Sequence, residues 1–320
     1  MACPHPLTAY RLKQVESSDG KIIQWTKPRL PEEMFEEVKI PCGQCVECRL
    51  AYARNWAVRL EHENQMHDQS AFLTLTYDDE HLQYTRSGLP TLNYKDMQSF
   101  IKRLRRRLDA ISEERRIQAE KLGLPPPPPI RIRFFYSGEY GETTFRPHFH
   151  MVLFGWFPAD AKYLKKSSSY PLFTSALLDD CWRQGYVWIG RNSFDTFAYV
   201  AGYVLKKFRG SKEERDRFYR GRQPERSVMS RRPGIALNWF NKYKGDVFPT
   251  DEVVTSKGFV LRPCKYYTEK FLEGLSYEKK RSFLEIRKAS FDARPVSIAR
   301  LLAREERHKA EQRQKLRDVR

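Results

Sequence analysis

Long apolar runs are missing from this chain of 320 residues, and no stretch approaches the roughly 20 residues of a membrane-spanning helix. The N-terminal sequence MACPH does not lead into an apolar signal-peptide core. We therefore expect a soluble, cytosolic protein with no membrane partner. A Gly-x4-Gly-Lys-Ser/Thr loop is also missing, which excludes a fused helicase. No His-x-Asp or His-x-Glu is present, which argues against a two-histidine, one-carboxylate iron oxygenase.

Acidic residues are the minority among the charged ones, with 40 Asp and Glu against 58 Lys and Arg, so the net charge is +18. A positive chain concentrates near phosphate-rich polymers, because each neutralised phosphate releases condensed counterions. Nucleic acid is therefore the expected partner. Hydrophobic residues make up 40% of the chain, which is enough for a packed core, and the length suggests about two domains.

Cysteine is scarce, and half of the six cysteines lie together as Cys42, Cys45 and Cys48. In a reducing cytosol such a cluster indicates a metal site rather than disulfides, because thiolates at this spacing can converge on one ion. Cys3 is the expected fourth ligand. A structural zinc is the favoured occupant; an iron–sulfur cluster and metal-free thiols are the alternatives.

Two histidines flank a phenylalanine in His148-Phe149-His150. A strand sends alternate side chains to one face, so both imidazoles can bind one divalent ion, Mg²⁺ or Mn²⁺. Two imidazoles alone hold such an ion loosely, so a third ligand is expected. Glu139 is the first candidate, because it lies at the end of the strand expected to pair with the histidine strand, and Glu142 is the second. Such a pair of histidines alone is more often structural.

Two tyrosines lie four residues apart, at positions 199 and 203, in a stretch expected to be helical. Residues at this spacing share a helix face, which brings both phenols to one place about 6 Å apart along the axis. Lys206 reaches the same face, where its ammonium could stabilise a phenolate or a phosphate. Phenol attack on DNA gives a 5′-phosphotyrosine and frees a 3′-hydroxyl. Two tyrosines at this spacing are more often core residues, but a metal site in the same basic chain favours a nuclease.

Periodicity predicts an α+β fold, with an antiparallel sheet of about five strands and helices mainly on one face. The expected strands include residues 71–77 at the sheet centre, 130–136, 147–154 and 186–189, with a turn at 137–142. The expected helices include residues 45–66, a long basic helix after Asn93, and 195–207.

Three regions follow from this pattern. Residues 1–70 form a Cys-rich subdomain with a basic helix, and residues 71–208 form the nuclease domain. Residues 209–320 form a basic C-terminal region with a small ordered patch and a helical tail, in which 209–232 is expected to be mobile.

Several basic residues are candidates for DNA contact. Arg103, Arg106 and Arg107 lie on the long basic helix, where an ordinary solvated surface explains them equally well. Arg146 precedes the histidine motif and Lys207 follows the tyrosine motif. We expect all five to contact DNA.

At these motifs the chain resembles the rolling-circle replication initiators of the HUH endonuclease superfamily. It is most similar to those of small single-stranded-DNA phages, the Microviridae, particularly the gokushovirus-like branch. The matching stretches are Pro41–Cys48, Phe72–Tyr77, His148–His150, Tyr199 with Tyr203 and Lys206, and Ser230–Ile235. One departure is Gly202, where two-tyrosine members commonly carry a basic residue, so Lys206 is the better candidate for that role.

The resemblance implies nicking of the plus-strand origin, covalent attachment to the 5′ end, and strand closure after a round of synthesis. Tyr203 is expected to make the first cut and Tyr199 the second. Single-stranded and origin DNA, the host helicase and the host DNA polymerase machinery are the implied partners, in the cytoplasm of the bacterial host; the oligomeric state stays open. A non-catalytic single-strand-binding or packaging protein, or a related relaxase or transposase, is the alternative.

Overall fold

The structure is a computed structural model that describes residues 3–13, 23–141, 144–167, 170–206, 211–248, 250–292 and 297–317. For residues 203–206, 288, 291–292 and 311–317 it describes the backbone alone. Two compact units are present: Ala53–Glu273 form one, and Met1–Tyr52 with Gly274–Arg320 form the other.

The strands are β1 (Leu7–Leu12), β2 (Ile23–Gln24), β3 (Phe35–Ile40), β4 (Ser70–Tyr77), β5 (Gln83–Tyr84), β6 (Pro90–Thr91), β7 (Arg133–Tyr140), β8 (Pro147–Phe154), β9 (Lys162–Ser167), β10 (Tyr170–Thr174), β11 (Gly185–Gly190), β12 (Ser227–Met229), β13 (Val253–Val254) and β14 (Val260–Leu261). The helices are α1 (Val46–Asn64), α2 (Tyr94–Lys121), α3 (Ala176–Trp182), α4 (Phe194–Lys206), α5 (Lys212–Tyr219), α6 (Leu237–Val247), α7 (Lys265–Glu273), α8 (Tyr277–Asp292) and α9 (Ile298–Arg317). No helix of the described residues is long and apolar enough to cross a bilayer.

The larger unit is built on an antiparallel sheet with the strand order β12-β7-β8-β4-β11-β10-β9. The predicted α+β class is confirmed, and β4 occupies the centre as expected. The sheet has seven strands rather than about five. The additional strands come from the lysine-rich β9–β10 hairpin and from β12, which is only three residues long. Neither carries the alternation of apolar and polar residues that identifies a strand in a sequence.

One face of the sheet carries the main hydrophobic core. Leu73 and Leu75 of β4 and Phe149 of β8 are fully buried there against the apolar side of α2, which includes Phe100. The helix begins after Asn93, whose side chain accepts a hydrogen bond from the Lys95 N–H. This N-cap agrees with the sequence-based prediction.

The opposite face is also covered by helices over β7 and β8, so the prediction of helices mainly on one face is too simple. Trp56 of α1 packs on Phe135 of β7, with ring centroids 5.0 Å apart. Helix α4 also packs on β7 and β8, and its Val200 and Ala201 are fully buried. The cause lies in the sequence of β7 and β8, which place apolar residues on both faces, so that both faces must be shielded from water.

Strand β7 runs to Tyr140, so the predicted turn at 137–142 is wrong for its first four residues. Ser137-Gly138 suggested a turn, but Gly138 is in the strand for a different reason. A Cβ at this position would lie 2.7 Å from the Tyr94 hydroxyl oxygen, so only glycine allows this close approach.

The segment 209–232 is folded where it is described, contrary to the expectation of a mobile stretch. Helix α5 begins at Ser211, which forms a capping box with Glu214. Strand β12 pairs with β7 through Ser227, Val228 and Met229. The central sheet therefore includes residues beyond the predicted boundary at 208.

The smaller unit contains a three-stranded antiparallel sheet with the order β2-β1-β3. Its four cysteines lie before β1 and around the start of α1. Helix α9 contacts the same region, because the buried Glu305 carboxylate accepts the backbone N–H of Val46 at 3.2 Å. An acidic group at a helix N-terminus stabilises the unpaired N–H groups there.

Candidate active site

The register of β7 and β8 brings one carboxylate and two imidazoles together. Glu139 lies directly opposite His148 in the antiparallel ladder, so the two side chains share a face with His150. Glu139 Oε2 is 3.0 Å from His148 Nε2 and 3.1 Å from His150 Nε2. The three residues thus form a compact triad on the sheet face opposite to the main core.

The outer nitrogen of each imidazole has a partner that orients the ring. His148 Nδ1 lies 3.1 Å from the backbone carbonyl oxygen of Arg146, which can only accept. His148 Nδ1 therefore carries a proton, and Nε2 of the neutral ring presents a lone pair to the triad. His150 Nδ1 lies 3.2 Å from Thr74 Oγ1 in the neighbouring strand. Metal-binding histidines are typically held in this way by their other nitrogen.

The triad fits a divalent cation. Its three ligand atoms all lie within 4.8 Å of one another, and Glu139 and His150 are buried. Two ligands of an octahedral ion with bonds of ~2.1 Å lie about 3.0 Å apart, close to the spacing found here. Two imidazoles and one carboxylate leave further coordination positions for other ligands. Glu139, His148 and His150 could hold a metal ion, as the sequence indicated, whereas Glu142 lies outside the described residues.

Tyr199 lies beside the triad. Its ring centroid is 5.2 Å from that of His150, at an interplanar angle of 76°. Phe72 stacks on the same imidazole, with centroids 5.7 Å apart. Tyr199 is 52% exposed, so its phenol is accessible from solvent while the ring contacts a triad member.

The second tyrosine belongs to the same helix. Tyr203 and Lys206 lie in the backbone of α4, but their side chains are outside the described part of the chain, and Lys207 is wholly outside it. Helix α4 is held against the sheet by the buried Phe197, Val200 and Ala201. Placement of the Tyr203 phenol at the triad stays a prediction based on helical spacing.

The arginines selected from the sequence fall into two groups. Arg103 donates to the carbonyl oxygens of Cys181 and Trp182 at the end of α3, and Arg146 donates to the Tyr77 carbonyl and to Asp79. Both therefore have roles within the fold. Arg106 and Arg107 are exposed on α2, which covers the sheet face away from the triad. DNA contact by any of the four stays a prediction.

Comparison with known proteins identifies the family. Residues 70–208, which include the triad and α4, match a family model described as replication-associated protein ORF2. Replication-associated protein VP4 of Bdellovibrio phage phiMH2K is 34% identical over 231 residues, which cover 72% of this chain and 66% of that protein. Replication-associated protein ORF2 of Spiroplasma virus 4 is 31% identical over 288 residues, covering 85% of this chain and 81% of that protein. The chain belongs to this family of phage replication-associated proteins.

A third relative, replication-associated protein ORF4 of Chlamydia phage 1, is 32% identical over 174 residues, 53% of this chain and 38% of that protein. The alignments thus span just under two thirds of the phiMH2K protein and a smaller share of the Chlamydia phage protein. No solved structure matches the chain. The resemblance to phage replication initiators predicted from the motifs is confirmed, and this replication-associated protein acts in phage DNA replication.

Two residues that support the triad were not identified as such from the sequence. Thr74 and Phe72 belong to β4, which was expected to serve as a structural or DNA-positioning strand. Thr74 lies directly opposite His150 in the ladder, and Phe72 lies opposite Val152. The alternation of β4 places both on the triad face. The signal was present, but it becomes specific only once the β4–β8 register is known.

The four clustered cysteines of this replication-associated protein also meet, and they could hold a metal ion. Their sulfur atoms all lie within 4.8 Å of one another, with Cys3 Sγ 3.6 Å from Cys42 Sγ and 3.8 Å from Cys45 Sγ. These distances exceed the ~2.05 Å of a disulfide and match the ~3.8 Å between sulfurs bound at ~2.3 Å to a tetrahedral zinc.

Backbone N–H groups point at the sulfurs of this cluster. Cys42 Sγ accepts from the N–H of Cys45 at 3.3 Å and from that of Gln44 at 3.4 Å. Burial raises the pKa of the Cys42 thiol, but these donors and the Cys3 thiol outweigh it and lower the pKa to about 7. Burial raises the pKa of Cys48 to about 11. The four thiols cannot all ionise at neutral pH by themselves, whereas a bound cation would stabilise all four thiolates.

Proposed function

We propose that this replication-associated protein is a metal-dependent origin endonuclease that cuts single-stranded phage DNA with a tyrosine and later rejoins the ends. The observation that carries the proposal is the Tyr199 ring at 5.2 Å from His150, beside a triad whose Nε2 and Oε2 atoms converge at 3.0–3.1 Å. A nucleophile and a metal site in one place are what transfer of a phosphodiester requires.

The triad provides the electrophilic part of the site. A Mg²⁺ or Mn²⁺ ion bound there would withdraw charge from a phosphate oxygen and orient the phosphorus for in-line attack. Glu139 contributes the negative charge, and the two imidazoles contribute neutral lone pairs. Their hydrogen bonds to Thr74 and to the Arg146 carbonyl keep the rings aimed at the same point.

The tyrosines provide the nucleophile. The phenol oxygen forms a bond to phosphorus and loses its proton, while the bond to the 3′ oxygen breaks and that oxygen gains a proton. The phosphodiester is conserved as a 5′-phosphotyrosine, so attack by a 3′-hydroxyl can reverse the step without ATP. We assign the first cut to Tyr203, assisted by Lys206, and the second to Tyr199.

The two-tyrosine arrangement suits rolling-circle replication, in which one phenol holds a 5′ end while the other receives the next strand. The chain has no nucleotide-binding loop of its own, so we propose that the host helicase and DNA polymerase machinery act on the freed 3′ end in the bacterial cytoplasm. We also propose that the cysteine cluster holds a structural Zn²⁺ in the smaller unit.

The experiment uses a labelled single-stranded origin oligonucleotide with Mg²⁺ or Mn²⁺ and detects covalent protein–DNA adduct on a denaturing gel. Wild-type protein should form adduct, and the double variant Tyr199→Phe with Tyr203→Phe should form none. His150→Ala and Glu139→Gln should lose adduct while keeping most salt-dependent binding, which comes from Lys and Arg elsewhere.

Matched controls separate the site from the fold. Tyr163→Phe removes an exposed phenol outside the site, and His81→Ala removes an imidazole that pairs with Asp78. Both variants should form adduct like the wild type. Tight binding without adduct in the wild type would instead favour a non-catalytic single-strand-binding or packaging protein, which the charge of +18 also suits.

A further inference from the structure

Two aromatic side chains of β11 lie on the triad face of the sheet. Trp188 is directly opposite Thr74, which is directly opposite His150. Tyr186 is likewise opposite Thr76, which is opposite His148. Opposite residues of antiparallel strands point to the same face, so the two rings continue the two rows that begin at the histidines.

These rings are on the surface, and the hydrophobic core does not account for them. Val187 and Ile189 alternate with them along β11 and fill the core on the other face. Tyr186 is 62% exposed and Trp188 is 37% exposed. On β4, Phe72, Thr74 and Thr76 are only half-buried. The part of the triad face formed by β4 and β11 is therefore accessible, in contrast to the part covered by α4 over β7 and β8.

A cation lies next to one of the rings. Lys165 Nζ is 5.6 Å from the Trp188 ring centroid, and Lys165 is held on this face by its pairing with Leu172 across the β9–β10 hairpin. Tyr170 in the same hairpin is also exposed. Aromatic rings interleaved with cations are the chemistry that binds single-stranded nucleic acid, where bases stack on rings and phosphates pair with ammonium groups.

We propose that Trp188 and Tyr186 form a stacking platform for unpaired bases of the DNA strand that leads to the scissile phosphate, with Lys165 pairing with its backbone. This inference rests on the proposed function and identifies the binding subsite that precedes the chemistry. At ~4.8 Å per strand, Trp188 lies about 10 Å from the β8 histidines, within reach of nucleotides adjoining the cut. Because bases in a duplex are already stacked on each other, the platform selects single-stranded DNA.

The test measures binding separately from chemistry. Anisotropy of a short fluorescent single-stranded oligonucleotide is recorded in the Tyr199→Phe plus Tyr203→Phe background, which cannot form adduct, with and without Trp188→Ala. Trp188→Ala should weaken single-strand binding on the order of tenfold, the loss expected for one stacked base. Trp188→Phe keeps a ring and should restore most of the affinity. Binding of a duplex of the same sequence should change little.

The matched control is Tyr163→Ala. Tyr163 is 63% exposed in the same hairpin but packs on Phe173, which pairs with Ile189 and so belongs to the opposite face. Its loss should leave single-strand affinity unchanged. Lys165→Gln should reduce the slope of log affinity against log salt by about 0.7, the value for one phosphate contact on a single strand.

The platform is overturned if Trp188→Ala binds the single strand within twofold of its parent, or if Trp188→Ala and Tyr163→Ala weaken binding equally. An equal loss for duplex and single strand would also overturn it, because the surface would then recognise charge rather than bases. The proposed nuclease function fails by a different result, absence of wild-type adduct, which leaves the binding comparison intact.

Discussion

Thr74 illustrates how a single hydroxyl in a neighbouring strand supports the triad. Its Oγ1 lies 3.2 Å from His150 Nδ1, so a neutral His150 that donates from Nδ1 keeps Nε2 directed at Glu139. Thr74→Val retains the shape and removes this partner. We expect the affinity for Mn²⁺ to fall by about tenfold, the lower end of the effect of losing such a partner, measured by calorimetric titration.

Thr76→Val is the matched control for this prediction. Thr76 lies opposite His148, whose Nδ1 is held by the Arg146 carbonyl rather than by a hydroxyl. Its substitution should leave Mn²⁺ affinity unchanged. Equal affinity in Thr74→Val and the wild type would show that the hydroxyl does not position the imidazole.

His62 gives a prediction for pH dependence. It is buried, stacks on Trp239 with ring centroids 3.5 Å apart, and pairs with the Tyr267 hydroxyl at 2.8 Å. Burial lowers its pKa from 6.5 to about 3. Below pH 6.5 the unfolded chain binds a proton at this position and the folded chain does not, so this residue makes the free energy of unfolding fall as pH decreases.

The expected contribution is about 1.4 kcal/mol per pH unit below the unfolded pKa. His62→Gln cannot take up this proton. Urea unfolding at pH 6.5 and pH 5 should therefore show a smaller loss of stability in His62→Gln than in the wild type. The same loss in both proteins would contradict the buried neutral imidazole.

At the scale of elements, the strands that were easiest to predict have one apolar face and one polar or half-buried face. Strand β4 alternates between buried and half-buried residues along its whole length, and it was identified to within one residue at its start. Strand β8 was identified by its unbroken apolar run from Phe149. The helices α1, α2, α3 and α4 followed from their spacing and caps.

Other elements depend on tertiary contacts that no local pattern contains. The end of β7 carries Gly138 because Tyr94 packs directly above it, and β12 is a strand only because β7 offers it an edge. The triad itself combines both cases: the histidine pair is visible in the sequence, whereas the choice of Glu139 required the register with β7. The cysteine cluster, in contrast, could be identified from spacing alone.

The position of α4 against the sheet gives a prediction at the same scale. Ala201 is fully buried in α4, which packs on β7 and β8. Ala201→Leu adds volume at this contact and should displace the tyrosine helix from the triad. We expect adduct formation to slow by at least about tenfold, because small displacements of reacting groups carry large kinetic penalties.

Gly202→Ala is the control in the same helix. A Cβ at Gly202 meets no described atom within 4 Å, and alanine favours the helix by about 1 kcal/mol. Its adduct rate should stay near that of the wild type. Wild-type adduct rates in Ala201→Leu would mean that the helix position does not limit the reaction.

At the scale of the whole molecule, the chain divides its two metal-binding groups between two units. The triad belongs to Ala53–Glu273, and the cysteine cluster belongs to the unit that contains the N-terminus and α9. Arg304 of α9 pairs with the buried Glu47 at 3.0 Å, and Glu305 accepts the Val46 N–H. The start of α1, the cysteine cluster and α9 thus share one set of contacts.

Metal removal should therefore affect the smaller unit first. In Cys45→Ser, which lacks one thiolate, we expect zinc content to fall below one ion per chain. Hydrogen exchange should become faster in β1, β3 and α9, and strands β4 and β8 should stay protected. Cys181→Ser, which alters a buried thiol of the larger unit, should keep its zinc. Unchanged exchange in Cys45→Ser would contradict a structural metal.

The central claim is that the triad and the tyrosines of α4 act on one phosphodiester. Mass spectrometry of the peptide linked to DNA after one round of cleavage in Mn²⁺ tests it most directly. The nucleotide should be found on Tyr203 or Tyr199, and no linked peptide should form in Glu139→Gln or His150→Ala. A linkage at a tyrosine outside α4, or an unchanged yield without the triad, would contradict the account.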